Sequence, residues 1–230
     1  MTYIAASIMC GNQLNIGQEL IKLEEAGCDM LHCDVMDGIY VNNLALGPEW
    51  INDVKNATTI PIDIHLATIN PMKYIQMFAP IKPKYISFHI EVSEDVMGNI
   101  KKIRHYGIKP SIALNPETKI EEVIPYLSEI DRILMMTVNP GFSGQSFNSS
   151  VLRKLETLSD ILSNRKHKPL IEVDGNINVE TIGKMKKNLP DIFVLGTSAL
   201  FHQKDEMSYA QRIERIRKQI QDYKQNDILE

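Results

Sequence analysis

The chain has 230 residues, 43% hydrophobic and 23% charged, with 12 glycines and 11 prolines; such values exclude wholesale disorder, collagen-like repeats and coiled coil. Twenty-five basic side chains against 29 acidic ones leave a net charge of −4. No global field therefore draws the protein to nucleic acid or anionic membrane, and a phosphorylated ligand has to be held by a local site.

Eight short β-rich runs alternate with amphipathic stretches. Residues 3–9 read as the first strand, followed by a helix over 17–26 in which Ile16, Leu20 and Leu23 share a face at i, i+4 and i+7. Strands at 30–35, 61–66 and 85–89 lead to helices near 48–55, 71–78 and 95–106. The series continues with strands at 109–114, 132–137, 170–173 and 192–195, and helices at 120–127, 150–163, 179–187 and 209–223. Pro48, Pro71 and Pro116 mark helix starts, where a missing N–H costs nothing. No linker or low-complexity block interrupts the pattern, and no apolar run approaches the roughly 18 residues of a membrane span. The start of the chain lacks the basic residues of a signal peptide. Three scattered cysteines, Cys10, Cys28 and Cys33, argue against a disulfide framework and for a reducing, cytoplasmic setting. The dinucleotide fingerprint GxGxxG is missing after the first strand, where Met9-Cys10-Gly11-Asn12 stands. Eight uninterrupted units therefore predict a closed (β/α)8 TIM barrel, a single domain over residues 1–230, rather than an open doubly wound sheet.

A barrel of this kind keeps its chemistry at the C-terminal ends of its strands. Polar residues recur at that place: Ser7, His32 and Asp34, His65, His89, Asn115, Thr137 and Asn139, Asp174, then Gly196, Thr197 and Ser198. In the second strand, alternation puts His32, Asp34 and Met36 on one face and Cys33 and Val35 on the other, with His32 and Asp34 about 7 Å apart along the chain. Together with His65 and Asp174 they form a borderline nitrogen–oxygen donor set, suited to Zn, Mn, Fe or Co. Asp63 shares the His65 face and could orient its imidazole. His105, His167 and His202 fall in helices or loops and read as solvent-exposed.

Glycines follow the late strands in Asn139-Pro140-Gly141-Phe142-Ser143-Gly144-Gln145, Gly175-Asn176 and Gly196-Thr197-Ser198. Three such segments on neighbouring strands let backbone N–H groups converge on a phosphate without a lysine. Met9, Met36 and Met136 could project toward the same mouth.

These residues carry a resemblance. Ala6-Ser7-Ile8-Met9, His32-Cys33-Asp34-Val35-Met36-Asp37-Gly38, Asp63-Ile64-His65-Leu66, Met136-Thr137-Val138-Asn139-Pro140-Gly141-Phe142 and Glu172-Val173-Asp174-Gly175 resemble the ribulose-phosphate 3-epimerase family over nearly the whole chain. The resemblance implies that His32, Asp34, His65 and Asp174 bind one divalent metal ion, and that Asp34 and Asp174 are the catalytic acid–base pair. It implies further that Ser7 contacts the substrate, a phosphorylated ketose. Gly141, Phe142, Ser143, Gly144, Gly175, Asn176, Gly196, Thr197 and Ser198 would hold its phosphate, with Met36 and Met136 near the enediolate. Related enzymes are dimers or hexamers, so a homo-oligomer is expected.

Departures bear on the substrate. Ile39-Tyr40-Val41-Asn42-Asn43 stands where the family usually has HFVPN, and Ala67 where it has methionine. Ser7-Ile8-Met9-Cys10, Leu114-Asn115-Pro116-Glu117-Thr118 and Gly196-Thr197-Ser198-Ala199-Leu200-Phe201 resemble the allulose-6-phosphate 3-epimerase branch. On these motifs D-allulose 6-phosphate stands ahead of D-ribulose 5-phosphate. A phosphate-binding decarboxylase would need a strand-end lysine, which every predicted strand end lacks. A silent sugar-phosphate sensor would need neither opposed acid.

Overall fold

The computed structural model describes residues 2–202 and 205–226. Eight parallel strands close into a barrel in sequence order: β1 (Tyr3–Ser7), β2 (Met30–Met36), β3 (Ile62–Ala67), β4 (Tyr85–His89), β5 (Lys109–Leu114), β6 (Arg132–Met136), β7 (Leu170–Asp174) and β8 (Ile192–Leu195). Closure comes from β1, which pairs with β2 through Ala6 and Leu31 and with β8 through Ala5 and Val194. Around it run α1 (Ile16–Glu25), α2 (Pro48–Ala57), α3 (Pro71–Phe78), α4 (Val96–His105), α5 (Val151–Ser163), α6 (Val179–Lys184) and α7 (Tyr209–Asn226). Fold class and strand count are as the sequence predicts. Among the described residues no helix is long and apolar enough to cross a membrane.

The period of two in each strand divides the molecule into an apolar shell and a polar interior. On β2, Leu31, Cys33 and Val35 face outward into a core that also takes Leu20 and Leu23 of α1 and Ile51 and Val54 of α2. The alternate residues His32, Asp34 and Met36 are left to the inside of the barrel.

Three expectations are corrected. The helix expected at 120–127 is two 3-10 turns, Ile120–Glu122 and Ile124–Tyr126, because Pro125 lacks the N–H an α-helix needs and disfavours helical backbone at Ile124. Pro116 starts no helix; it sits in a turn closed by the Thr118 amide donating to Asn115 O at 3.2 Å. The first strand stops at Ser7, and Ile8–Cys10 form a 3-10 turn that places Met9 and Cys10 on the wall of the mouth.

Candidate active site

Neighbouring strands set the site's first pair of side chains. The β2–β3 register places His32 beside Asp63 and Asp34 beside His65, and Asp174 ends β7. One donor atom each from His32, Asp34, His65 and Asp174 lies within 4.8 Å of the others. His65 Nδ1 is 2.9 Å from Asp34 Oδ1, and His32 Nε2 is 3.4 Å from that oxygen and 3.8 Å from Asp174 Oδ2. Ser7 Oγ donates to Asp34 Oδ2 at 3.0 Å. The four residues that the sequence assigns to a metal are thus brought together.

A second polar layer lies deeper, and sequence reasoning missed most of it. Arg132, fully buried at the start of β6, donates through Nη2 to Asp63 Oδ1 and Ser87 Oγ, and through Nε to Ser111 Oγ. Its Nη1 lies 2.8 Å from Glu172 Oε2 but makes no aligned hydrogen bond there. The guanidinium also stacks over the Tyr85 ring, 4.3 Å from its centroid. Asp63 orients His32, with 2.8 Å between Oδ2 and Nδ1, and not the His65 that shares its strand face.

Proton accounting shows what the upper cluster accepts. Burial raises the Asp63 carboxyl, but the charge of Arg132 and hydrogen bonds from His32 and Arg132 outweigh it and keep Asp63 ionised. Burial lowers the His32 pKa, but Asp34 and Asp63 outweigh it and hold the ring well above its ordinary value. One proton therefore rests on Nδ1 toward Asp63, and the proton on Nε2 is the one a divalent cation would displace. Nε2 is buried and has no hydrogen-bond partner among the described residues. It faces two carboxylates, so the donor set fits a divalent cation: an orphaned imidazole nitrogen, a second imidazole and two carboxylates, with an outer carboxylate fixing one ring.

The two upper acids are driven apart. Burial raises Asp34, yet the charge on His32 outweighs it and carries the carboxyl far below the usual carboxylate range. Asp174 is lifted to about 7 by burial and by the charges of Asp34 and Asp63, against the pull of His32. Glu172 goes to about 8, by burial and the neighbouring carboxylates Asp63 and Asp174, despite Arg132.

His89, Tyr40 and Glu91 extend the site toward β5. Burial, reinforced by His65, pushes the His89 pKa down to about 4 and keeps the ring neutral at pH 7. Burial of Glu91 is outweighed by hydrogen bonds from His89, Thr118 and the Asn115 amide, which hold it at about 2. His89 is among the strand-end residues read from the sequence; Tyr40 and Glu91 are not.

Above the acids opens a cleft continuous with solvent. Its wall takes Ser7, Met36 and Met136, then Gly141, Phe142, Ser143 and Gly144, then Gly175 and Asn176, and finally Gly196, Thr197 and Ser198. Every residue that the sequence assigns to substrate lines this one space. Asn43 Nδ2 donates to Gly141 O at 2.7 Å and ties the β2 and β6 loops together. Of the other histidines, His105 and His167 are exposed, whereas His202 is half-buried.

Fold and site together define a (β/α)8-barrel enzyme with paired carboxylates at the mouth of its barrel. Residues 3–201 match the model of the ribulose-phosphate 3 epimerase family. The ribulose-phosphate 3-epimerase of Buchnera aphidicola (subsp. Baizongia pistaciae) is 39% identical over 86% of this chain and 88% of its own. That of Helicobacter pylori is 33% identical, over 94% and 99%, and that of Bacillus subtilis 35%, over 89% and 94%. Among solved structures, KGPDC from Streptococcus mutans superposes with a TM-score of 0.68 at 10% identity, covering 97% of this chain and 99% of that one. The 3-hexulose-6-phosphate synthase of Salmonella typhimurium gives 0.64 at 13% identity, covering 97% and 100%. At such identities these two share the fold alone. The chain belongs to the ribulose-phosphate 3-epimerase family, and it is a sugar-phosphate 3-epimerase, an isomerase.

Proposed function

We propose that this chain interconverts D-ribulose 5-phosphate and D-xylulose 5-phosphate, with Asp34 and Asp174 as its two acid–base groups. The observation that carries the reading is their placement: β2 and β7 bring the two carboxyls to one cavity lined by three glycine-containing loops. Inversion beside a ketone removes a proton from one face of the carbon and delivers one to the other. A single carboxylate tends to return the proton to the face it left, so two are needed. In one direction Asp34 takes the C3 proton and Asp174 supplies the new one; in the other they exchange roles. Their unlike charge states give the required start, one ionised and one protonated. A divalent ion held by His32, His65, Asp34 and Asp174 would supply Lewis-acid stabilisation of the negative charge that develops on the substrate oxygens, worth several kcal/mol.

The loops after β6, β7 and β8 hold the phosphate in this reading, through backbone N–H groups and the hydroxyls of Ser143, Thr197 and Ser198. That binding energy orients C3 between the acids. Gly175 tests it, because it has φ +118° and a Cβ there would lie 2.8 Å from the Val138 nitrogen. Gly175→Ala is expected to cost about 1–3 kcal/mol of stability. At a temperature where the variant stays folded, KM should rise more than kcat falls; an unchanged KM would remove this loop from phosphate binding.

Incubation with D-ribulose 5-phosphate in D2O is expected to place deuterium at C3 and yield D-xylulose 5-phosphate. Exhaustive chelation should abolish this, and a divalent ion should restore it. Full turnover in rigorously metal-free protein would overturn the metal's part, and binding without exchange would overturn catalysis.

The motifs at Ser7–Cys10, 114–118 and 196–201 support a second substrate, D-allulose 6-phosphate. The five-carbon substrate is supported by the names of the relatives, which are ribulose-phosphate 3-epimerases. A kcat/KM at least roughly tenfold higher on ribulose 5-phosphate is expected, and the inverse ratio would install the six-carbon reading.

A further inference from the structure

Glu91 bonds to His89, Asn115 and Thr118 and lies one imidazole away from the four clustered residues, joined to them by hydrogen bonds without a break. His65 Nε2 is 2.9 Å from His89 Nε2, and His89 Nδ1 is 3.1 Å from Glu91 Oε2. The other carboxylate oxygen of Glu91 accepts from the Asn115 amide at 2.7 Å and from the Thr118 hydroxyl. We propose that Glu91, acting through His89, is a positioning residue that decides which ring nitrogen His65 offers to a cation.

A neutral imidazole carries one N–H, and a carboxylate can only accept. His89 Nδ1, beside Glu91, is therefore the protonated nitrogen, and His89 Nε2 is bare. The Tyr40 hydroxyl, 3.1 Å from the same Nδ1, does not reverse this. A bare Nδ1 would set its lone pair against the carboxylate, whereas Tyr40 Oη accepts from Asn115 Nδ2 at 2.7 Å and can turn its own proton to Glu91. A bare His89 Nε2 can only accept, so the proton of His65 sits on Nε2. His65 Nδ1 then presents a lone pair to Asp34 Oδ1, 2.9 Å away. Two electron pairs face each other there, and a cation reconciles them. The inference rests on the proposed metal site in this last step alone; the order of protons along the relay does not.

Glu91→Gln is the informative variant because it is isosteric. The Asn115 amide and the Thr118 hydroxyl both donate, so they hold the carbonyl end of the new amide and turn its NH2 toward His89 Nδ1. That nitrogen then accepts, the proton of His89 moves to Nε2, and His65 is left protonated on Nδ1, unable to ligate through it. Zinc affinity, read by competition with a chromogenic chelator, is expected to fall about 10–100-fold, with melting behaviour near wild type. Glu91→Asp, which keeps the charge, should recover most of the loss. In protein labelled with 15N-histidine, His89 should show Nδ1–H in wild type and Nε2–H in Glu91→Gln. Unchanged ring shifts, or unchanged affinity in Glu91→Gln, would overturn the proposal. A wild-type protein that binds no zinc would overturn the metal site itself, and the ring shifts would still decide the relay.

Discussion

Asp174→Asn is expected to stop epimerisation, by about 10²–10⁴-fold from lost proton transfer alone, while leaving one half of the chemistry running. Asp34 remains in that variant, accepting from Ser7 Oγ at 3.0 Å, so it can still take a proton from its own face of the substrate. With no acid on the far face, the proton or deuteron goes back where it came from. In D2O one epimer should therefore exchange its C3 hydrogen without inverting, and the other should do neither. Asp34→Asn should show the mirror image, exchange confined to the opposite epimer. Both residues also belong to the proposed ligand set, so the comparison is made at saturating divalent ion and with melting curves to confirm folding. Inversion at a wild-type rate in either variant would refute the two-acid scheme. Loss of exchange for both epimers in both variants would mean that the carboxyls act only as ligands.

That prediction rests on residues legible in the sequence, and the reason is physical. A parallel barrel strand has an outside that must be apolar and an inside that need not be, so His32 and Asp34 two apart on β2 announce an interior site. Alternation gives the face of a side chain but not its neighbour. By alternation alone Asp63 belongs near His65 on its own strand, and register sets it against His32 on the next one. Arg132 and Glu172 occupy inward positions by the same count, but Arg132 opens β6 and reads as solvated until the barrel closes over it. Glu91 follows β4 in a 3-10 turn, Ile90–Val92, whose fold-back toward Asn115 and Thr118 has no periodic signature. The helix expected at 120–127 fails for a local reason: the apolar spacing of Ile120, Val123 and Leu127 is helical, and Pro125 overrules it.

Arg132→Met is expected to be among the most damaging single changes in the barrel. The guanidinium is fully buried, and it is the positive charge placed between Asp63 and Glu172. Removing it leaves uncompensated carboxylate in a low-dielectric interior, a loss of about 3–5 kcal/mol. At about 2–4 °C per kcal/mol for a domain of this size, the melting temperature should drop by roughly 10 °C. Arg132→Lys should recover part of that, since it returns the charge but not the fork that reaches Asp63, Ser87 and Ser111 together. A melting temperature within about 2 °C of wild type in Arg132→Met would show that the cluster is neutralised some other way. Stability alone does not explain why such a cluster is kept, because well-packed apolar replacements of buried ion pairs are often neutral or better. Its second effect is on protons: Arg132 holds Asp63 ionised, and ionised Asp63 holds a His32 proton on Nδ1, so that Nε2 is the nitrogen turned to the mouth. The triple change Asp63→Asn, Arg132→Met, Glu172→Gln should therefore return the melting temperature toward wild type and leave divalent-ion affinity about 10–100-fold down. Recovery of both together would reduce the buried arginine to a packing element.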